Sequence, residues 1–120
     1  IFSKHTKLIN ELSNCIFFPI HEENFANSIR NSYGVIANAG FQTTSEVIYL
    51  GKRLLAIPVE GQYEQVCNVA ALKEFGVVTL TKLDKSSIDI IYSWLDSDPI
   101  KIRFQNNLDE LLTNKINKII

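Results

Sequence analysis

Apolar residues in this chain fall into short unbroken runs separated by stretches where they recur every three or four positions. Cys15-Ile16-Phe17-Phe18-Pro19-Ile20 is a continuous apolar run of the kind shown by parallel strands buried on both faces. In residues 22–32 Phe25, Ala26 and Ile29 form a helical stripe, and Tyr33-Gly34-Val35-Ile36-Ala37 returns to strand character. The alternation repeats twice. Residues 43–50 read as helix, Arg53-Leu54-Leu55-Ala56-Ile57-Pro58 as strand, residues 62–75 as helix stopped by Gly76, and Val77-Val78-Thr79-Leu80 as strand. Ahead of this core, Leu8, Ile9 and Leu12 at i, i+1 and i+4 predict the closing turns of a helix over residues 7–13. Behind it, residues 86–95 and 107–119 read as two amphipathic helices. They are separated by Asp96-Ser97-Asp98-Pro99 and a short segment over 100–104.

Short apolar strands alternating with helices of ten or so residues predict an α/β fold: a Rossmann-like parallel sheet with helices on both faces. At 120 residues and 46% hydrophobic content the chain can close one core and is too short for two ordinary domains. A formal charge of -1 gives no field that would gather nucleic acid, so any partner is met at a specific site. Cys15 and Cys67 each sit in an apolar stretch, which predicts buried free thiols and a reducing, cytoplasmic setting. No apolar run approaches the roughly 20 residues of a membrane span, and Ile1-Phe2-Ser3-Lys4-His5 lacks signal-peptide architecture. The sequence has no Met, so we expect Ile1 not to be a natural start and the chain to be part of a larger protein.

In open parallel sheets ligands bind outside the carboxyl ends of strands, which directs attention to the residues after Ile20, Ala37 and Ile57. After Ala37 the chain reads Asn38-Ala39-Gly40-Phe41-Gln42-Thr43-Thr44-Ser45-Glu46. A helix N-terminus there would present unpaired N–H groups and a partial positive charge to a phosphate, with threonine hydroxyls beside them. The same letters fit a capping box, in which Thr43 caps the helix and Glu46 reaches back to it. After Ile57 the chain reads Pro58-Val59-Glu60-Gly61-Gln62-Tyr63-Glu64-Gln65-Val66-Cys67-Asn68. At ~100° per residue Glu64, Gln65 and Asn68 fall within about a third of a helix circumference, and a carboxylate with two amides suits the vicinal hydroxyls of a sugar. A solvated helix start accounts for them equally well.

Taken together, the two stretches resemble the donor-binding signature of GT-B glycosyltransferases, in particular the MurG (family 28) and UDP-glycosyltransferase group. The resemblance covers residues 34–76. It rests on Asn38-Ala39-Gly40-Phe41-Gln42-Thr43, then Glu46, Gly51, Leu54-Leu55-Ala56-Ile57-Pro58, Glu64-Gln65 and Asn68-Val69-Ala70. It implies the C-terminal half of a GT-B fold, truncated at its N-terminus, with the acceptor domain elsewhere in the protein. By that resemblance Glu46 binds the ribose hydroxyls and the turn Gly40-Phe41-Gln42-Thr43 after Asn38 holds the diphosphate. Glu64 and Gln65 contact the donor sugar, Asn68 supports them, and the uracil lies against the loop at Ile20. Asn38 stands where the group usually has His, Arg53 where it has Pro, and the loop between Pro58 and Glu64 is two residues longer, so the sugar stays open.

The resemblance further implies transfer from a UDP-linked nucleotide sugar, with no metal or cofactor and no catalytic residue in this stretch. The base would come from the missing N-terminal domain or a partner subunit, and peripheral membrane contact would come through the rest of the protein. A donor-binding subunit of a split enzyme and a nucleotide-sugar 2-epimerase share these features. Asp96-Ser97-Asp98 has the spacing of a cation-binding Asp-x-Asp but precedes Pro99, which is helix-stop chemistry. His5 and His21 lack ligand-spaced partners, and Lys101, Arg103, Lys115 and Lys118 read as a solvated basic face.

Overall fold

The computed structural model describes residues 1–20 and 22–101. Its centre is a three-stranded parallel sheet of β4 (Gly34–Asn38), β5 (Arg53–Ile57) and β6 (Val78–Thr79), in the order β4-β5-β6. The connections are α2 (Phe41–Tyr49) and α3 (Tyr63–Glu74), giving two successive parallel crossovers of the kind the alternating pattern predicts. Gly34 faces Arg53 at one end of the β4–β5 register and Asn38 faces Ile57 at the other.

β5 is the buried middle strand, and alternation along it feeds two cores. Leu54 and Ala56 join Val47 and Ile48 of α2, Leu72 near the end of α3, and Ile29 of α1 (Glu22–Asn31). Leu55 turns to the opposite face and meets Leu80 and Trp94 of α4 (Ile88–Asp96). The sheet is thus flanked by helices on both faces, as a Rossmann-like domain requires. Trp94 lies against Gly34, where an added Cβ would come within 2.9 Å of the indole. The end of α4 is pinned beside it: the Tyr33 hydroxyl donates to the Leu95 carbonyl (2.9 Å), and the Arg53 guanidinium sits 4.1 Å from the Tyr33 ring centre.

Residues 1–20 depart from expectation. Residues 7–13 do not close a helix: Asn10–Leu12 is a strand, β2, running antiparallel to β3 (Cys15–Pro19) through a two-residue turn in which Ser13 has φ 55°. The apolar residues behind the helical reading bury nothing, with Leu8 80% and Leu12 66% exposed, so their spacing had no core to serve. β3 also pairs in parallel with β1 (Phe2–Ser3), forming a second sheet; among the described residues no ladder joins it to β4. The continuous apolar run marked a strand correctly and left its neighbours unspecified. Aromatic packing links this second sheet to α1: Phe2 stacks on Phe18 at 5.0 Å and meets Phe25 of α1 edge-on at 5.3 Å. The helix expected over 107–119 lies outside the described residues, as do His21, Arg103, Lys115 and Lys118. Among the described residues no helix is long and apolar enough to cross a membrane.

Candidate functional site

The carboxyl end of β4 leads straight into α2. Asn38 is exposed, whereas Ala39 is fully buried and donates its N–H to the Ile57 carbonyl at 3.0 Å, tying the corner to the end of β5. Gly40 is the N-cap, with extended backbone (φ −72°, ψ 140°) and no side-chain cap. The helix begins at Phe41, two residues earlier than the sequence suggests, and its first internal bond runs from Thr44 N–H to the Gly40 carbonyl at 3.3 Å. The N–H groups of Phe41, Gln42 and Thr43 therefore have no acceptor within the helix, and they point out beyond the strand end.

This placement removes the capping box. Thr43 lies in the first turn instead of at the cap, and Glu46 lies a full turn beyond the position from which a carboxylate reaches back to a cap. Thr44 is the hydroxyl with structural duty, donating to the carbonyls of Gly40 (2.7 Å) and Phe41 (3.1 Å). Among the described residues the Glu46 side chain has no hydrogen-bond or ion-pair partner.

The second corner is organised differently. After β5 the chain turns over Pro58-Val59-Glu60-Gly61-Gln62, with Gly61 at φ 79°, a conformation that a Cβ would strain. Gln62 caps α3 through its backbone only. The Gln65 carboxamide oxygen accepts from Val59 N–H at 2.8 Å, and its nitrogen donates to the Gln62 side-chain oxygen at 2.9 Å. One turn on, Asn68 donates to the Ala39 carbonyl at 2.9 Å, so α3 also holds the α2 corner. Glu64 is exposed and without a partner among the described residues.

Between α2 and α3 opens a groove of about 500 Å3, lined in part by Phe41, Thr44, Glu46, Asn68, Leu72 and Phe75. Glu46, Phe41 and Asn68 share this groove, and Phe41 is 73% exposed at its mouth. Gln65 does not line it, being turned toward the Val59 loop. Gln42 is exposed and Thr43 half-buried at the head of α2, while exposed Ile20 follows the last residue of β3, on the other sheet.

The end of β6 offers a contrast. There a single 3-10 turn (Lys85–Ser87) precedes α4 and carries a complete capping box on Asp84. The Ser86 hydroxyl, first, and the nearby Lys82 ammonium (3.1 Å) hold the Asp84 carboxyl at about 2, well below the ordinary carboxylate range.

Neither cysteine is buried: Cys15 is half-buried and Cys67 exposed, because position 67 lies on the outer side of α3. Ser97, between Asp96 and Asp98, donates to the Trp94 carbonyl and accepts from Arg53 at 2.5 Å, which is a helix stop tied down. Sequence reasoning missed Gln62 as the partner of Gln65. Their i, i+3 spacing was the available signal.

A family model described as "Glycosyl transferase family 1" matches residues 4–98, which takes in β2 to β6 and α1 to α4. No curated protein and no solved structure gives a match.

Proposed function

The chain belongs to glycosyl transferase family 1, and on that premise we propose that the crevice at the carboxyl ends of β4 and β5 binds a nucleotide-sugar donor. The donor is UDP-linked, as in the MurG and UDP-glycosyltransferase enzymes that residues 34–76 resemble. The diphosphate lies against the head of α2, where the N–H groups of Phe41, Gln42 and Thr43 and the Thr43 hydroxyl face negative charge without a competing side chain. Asn38 and Gly40 form the approach to that turn. The Glu46 carboxylate accepts from both ribose hydroxyls, and Glu64 meets the sugar.

In the reaction an acceptor oxygen attacks the anomeric carbon from the face opposite the diphosphate. The bond from that carbon to the diphosphate oxygen breaks, and the electron pair leaves with the nucleotide. The acceptor's proton passes to a base supplied from outside this chain. The α2 N-terminus stabilises the charge that develops on the departing diphosphate, so no metal enters the step.

The observation that carries the reading is a helix head with no side-chain cap at the end of a parallel strand, beside a carboxylate with no internal partner. Calorimetric titration of the full-length protein with UDP, a UDP-hexose and a UDP-N-acetylhexosamine tests it. Glu46→Ala is expected to weaken UDP binding by about 2 to 3 kcal/mol, the size of a charge-assisted hydrogen-bond pair, with Tm unchanged. Normal UDP binding with an earlier melt would overturn the assignment.

A further inference from the structure

We propose that Gln65 and Asn68 are positioning residues, which from one side of α3 fix the spacing between the two strand-to-helix corners and so the width of the crevice. The inference rests on the donor-binding reading above and concerns how that site is kept in shape. Residues three apart on a helix lie on neighbouring turns of one face. Gln65 uses that face to accept from Val59 N–H at 2.8 Å and to donate to Gln62 at 2.9 Å. Asn68 uses it to donate to the Ala39 carbonyl at 2.9 Å. Ala39 is fully buried and its N–H is held by the Ile57 carbonyl at 3.0 Å. Both backbone polar groups of the residue that precedes the α2 cap are thus fixed, one from β5 and one from α3. Two residues past Ile57, Val59 is fixed from α3 as well, so the hydrogen bonds form a closed circuit through both corners.

For Gln65 this reverses the role that a simple polar-face reading suggests. Each end of its carboxamide already serves another part of the protein, and turning it toward a sugar would leave the half-buried Val59 N–H without its acceptor. Asn68 lines the α2–α3 groove, yet its donor is committed to the Ala39 carbonyl, just ahead of the α2 cap. Both side chains therefore act on a donor through backbone they hold in place. The effect should reach the nucleotide and the sugar alike, because cutting the brace at either residue loosens one of the two corners between which the whole donor lies.

The test uses the full-length protein, with calorimetric titration of UDP and of UDP-N-acetylglucosamine. Hydrogen exchange without ligand is followed in parallel, over peptides spanning residues 38–44 and 57–62. Gln65→Ala and Asn68→Ala are each expected to weaken UDP and UDP-N-acetylglucosamine equally, by about tenfold, the usual worth of one lost internal hydrogen bond left unsatisfied. Exchange should quicken over 57–62 in the first variant and over 38–44 in the second. Gln65→Glu keeps an acceptor for Val59 N–H and should restore most of the affinity and the slow exchange. Asn68→Asp, equal in size and without a donor, should behave as Asn68→Ala does. These two near-isosteric variants keep the comparison open if an alanine variant fails to fold. A Gln65→Ala protein that binds UDP normally and loses only the nucleotide sugar overturns the proposal in favour of direct sugar contact. Unchanged exchange in the variants overturns it too. If the unaltered protein binds neither ligand, the donor reading fails on its own, and the exchange data alone decide whether the brace exists.

Discussion

Two strand-to-helix corners of the same sheet are built on opposite plans. After β6, Asp84 caps the 3-10 turn that runs into α4: it accepts from Ser86 N–H at 2.9 Å, and its own N–H is met by the Ser87 hydroxyl at 3.2 Å. After β4, the entrance to α2 has Gly40 and no side chain at all. Both helices lie against the sheet, so packing does not explain the difference. A turn closed by its own side chains has no N–H groups left over for a ligand, whereas an entrance without a side-chain cap keeps its first N–H groups open, as the proposed diphosphate position at α2 needs.

The sharpest way to break this contrast is to give α2 the cap it lacks. Gly40→Asp fits the extended backbone there, and an added Cβ meets nothing within 4 Å. The variant should melt slightly higher, since an Asp cap exceeds Gly by a few tenths of a kcal/mol. It should also bind UDP about 100-fold more weakly, near 2.8 kcal/mol, because a carboxylate would occupy the phosphate position. A variant that gains stability and keeps its affinity would show that the open corner is not an anion site.

The closed corner is tested at the far end of its helix. Gly34→Ala would push a methyl against the Trp94 indole and the Arg53 Cβ at 3.1 Å, and should cost about 2 kcal/mol in urea unfolding, as overpacked cores do. Nucleotide affinity, normalised for the folded fraction, should not change.

Adjacent threonines sharpen the comparison within α2. Thr44→Val removes the bonds to Gly40 and Phe41 and should lower stability by about 1 kcal/mol. Thr43→Val should leave the urea midpoint alone and weaken UDP binding by a similar amount. Equal effects of the two on stability would place Thr43 in the scaffold.

The smallest effect belongs to Asp84. Its carboxyl, lowered from 3.8 to about 2 in the folded protein, favours folding while ionised. That contribution is present above the unfolded value near 4 and is lost as pH falls through 2. Relative to Asp84→Asn, the wild-type protein should therefore show a small Tm excess at pH 6 that shrinks between pH 4 and pH 2. An excess that stays constant across that window would assign the shift elsewhere.

By itself the sequence determined the alternation of β4, α2, β5, α3 and β6, and with it the two strand-to-helix corners. Hydrophobic period is a local property: Leu54-Leu55-Ala56 reads as a strand buried on both faces wherever its cover comes from. Tertiary structure decided what depends on partners distant along the chain. Leu8, Ile9 and Leu12 spell a helical stripe, yet pairing with Cys15–Pro19 made the segment a hairpin, because hydrogen-bond partners outweighed a stripe with nothing to bury. Thr43 and Glu46 spell a capping box, yet the bond from Ala39 to Ile57 fixed the helix start at Gly40 and left Glu46 without a partner. Gln65 and Asn68 lie on one helical face in either view, and only the positions of Val59 and Ala39 show that this face grips backbone. Spacing along a helix says which side chains travel together, while what they touch is settled by the parts of the chain folded against them.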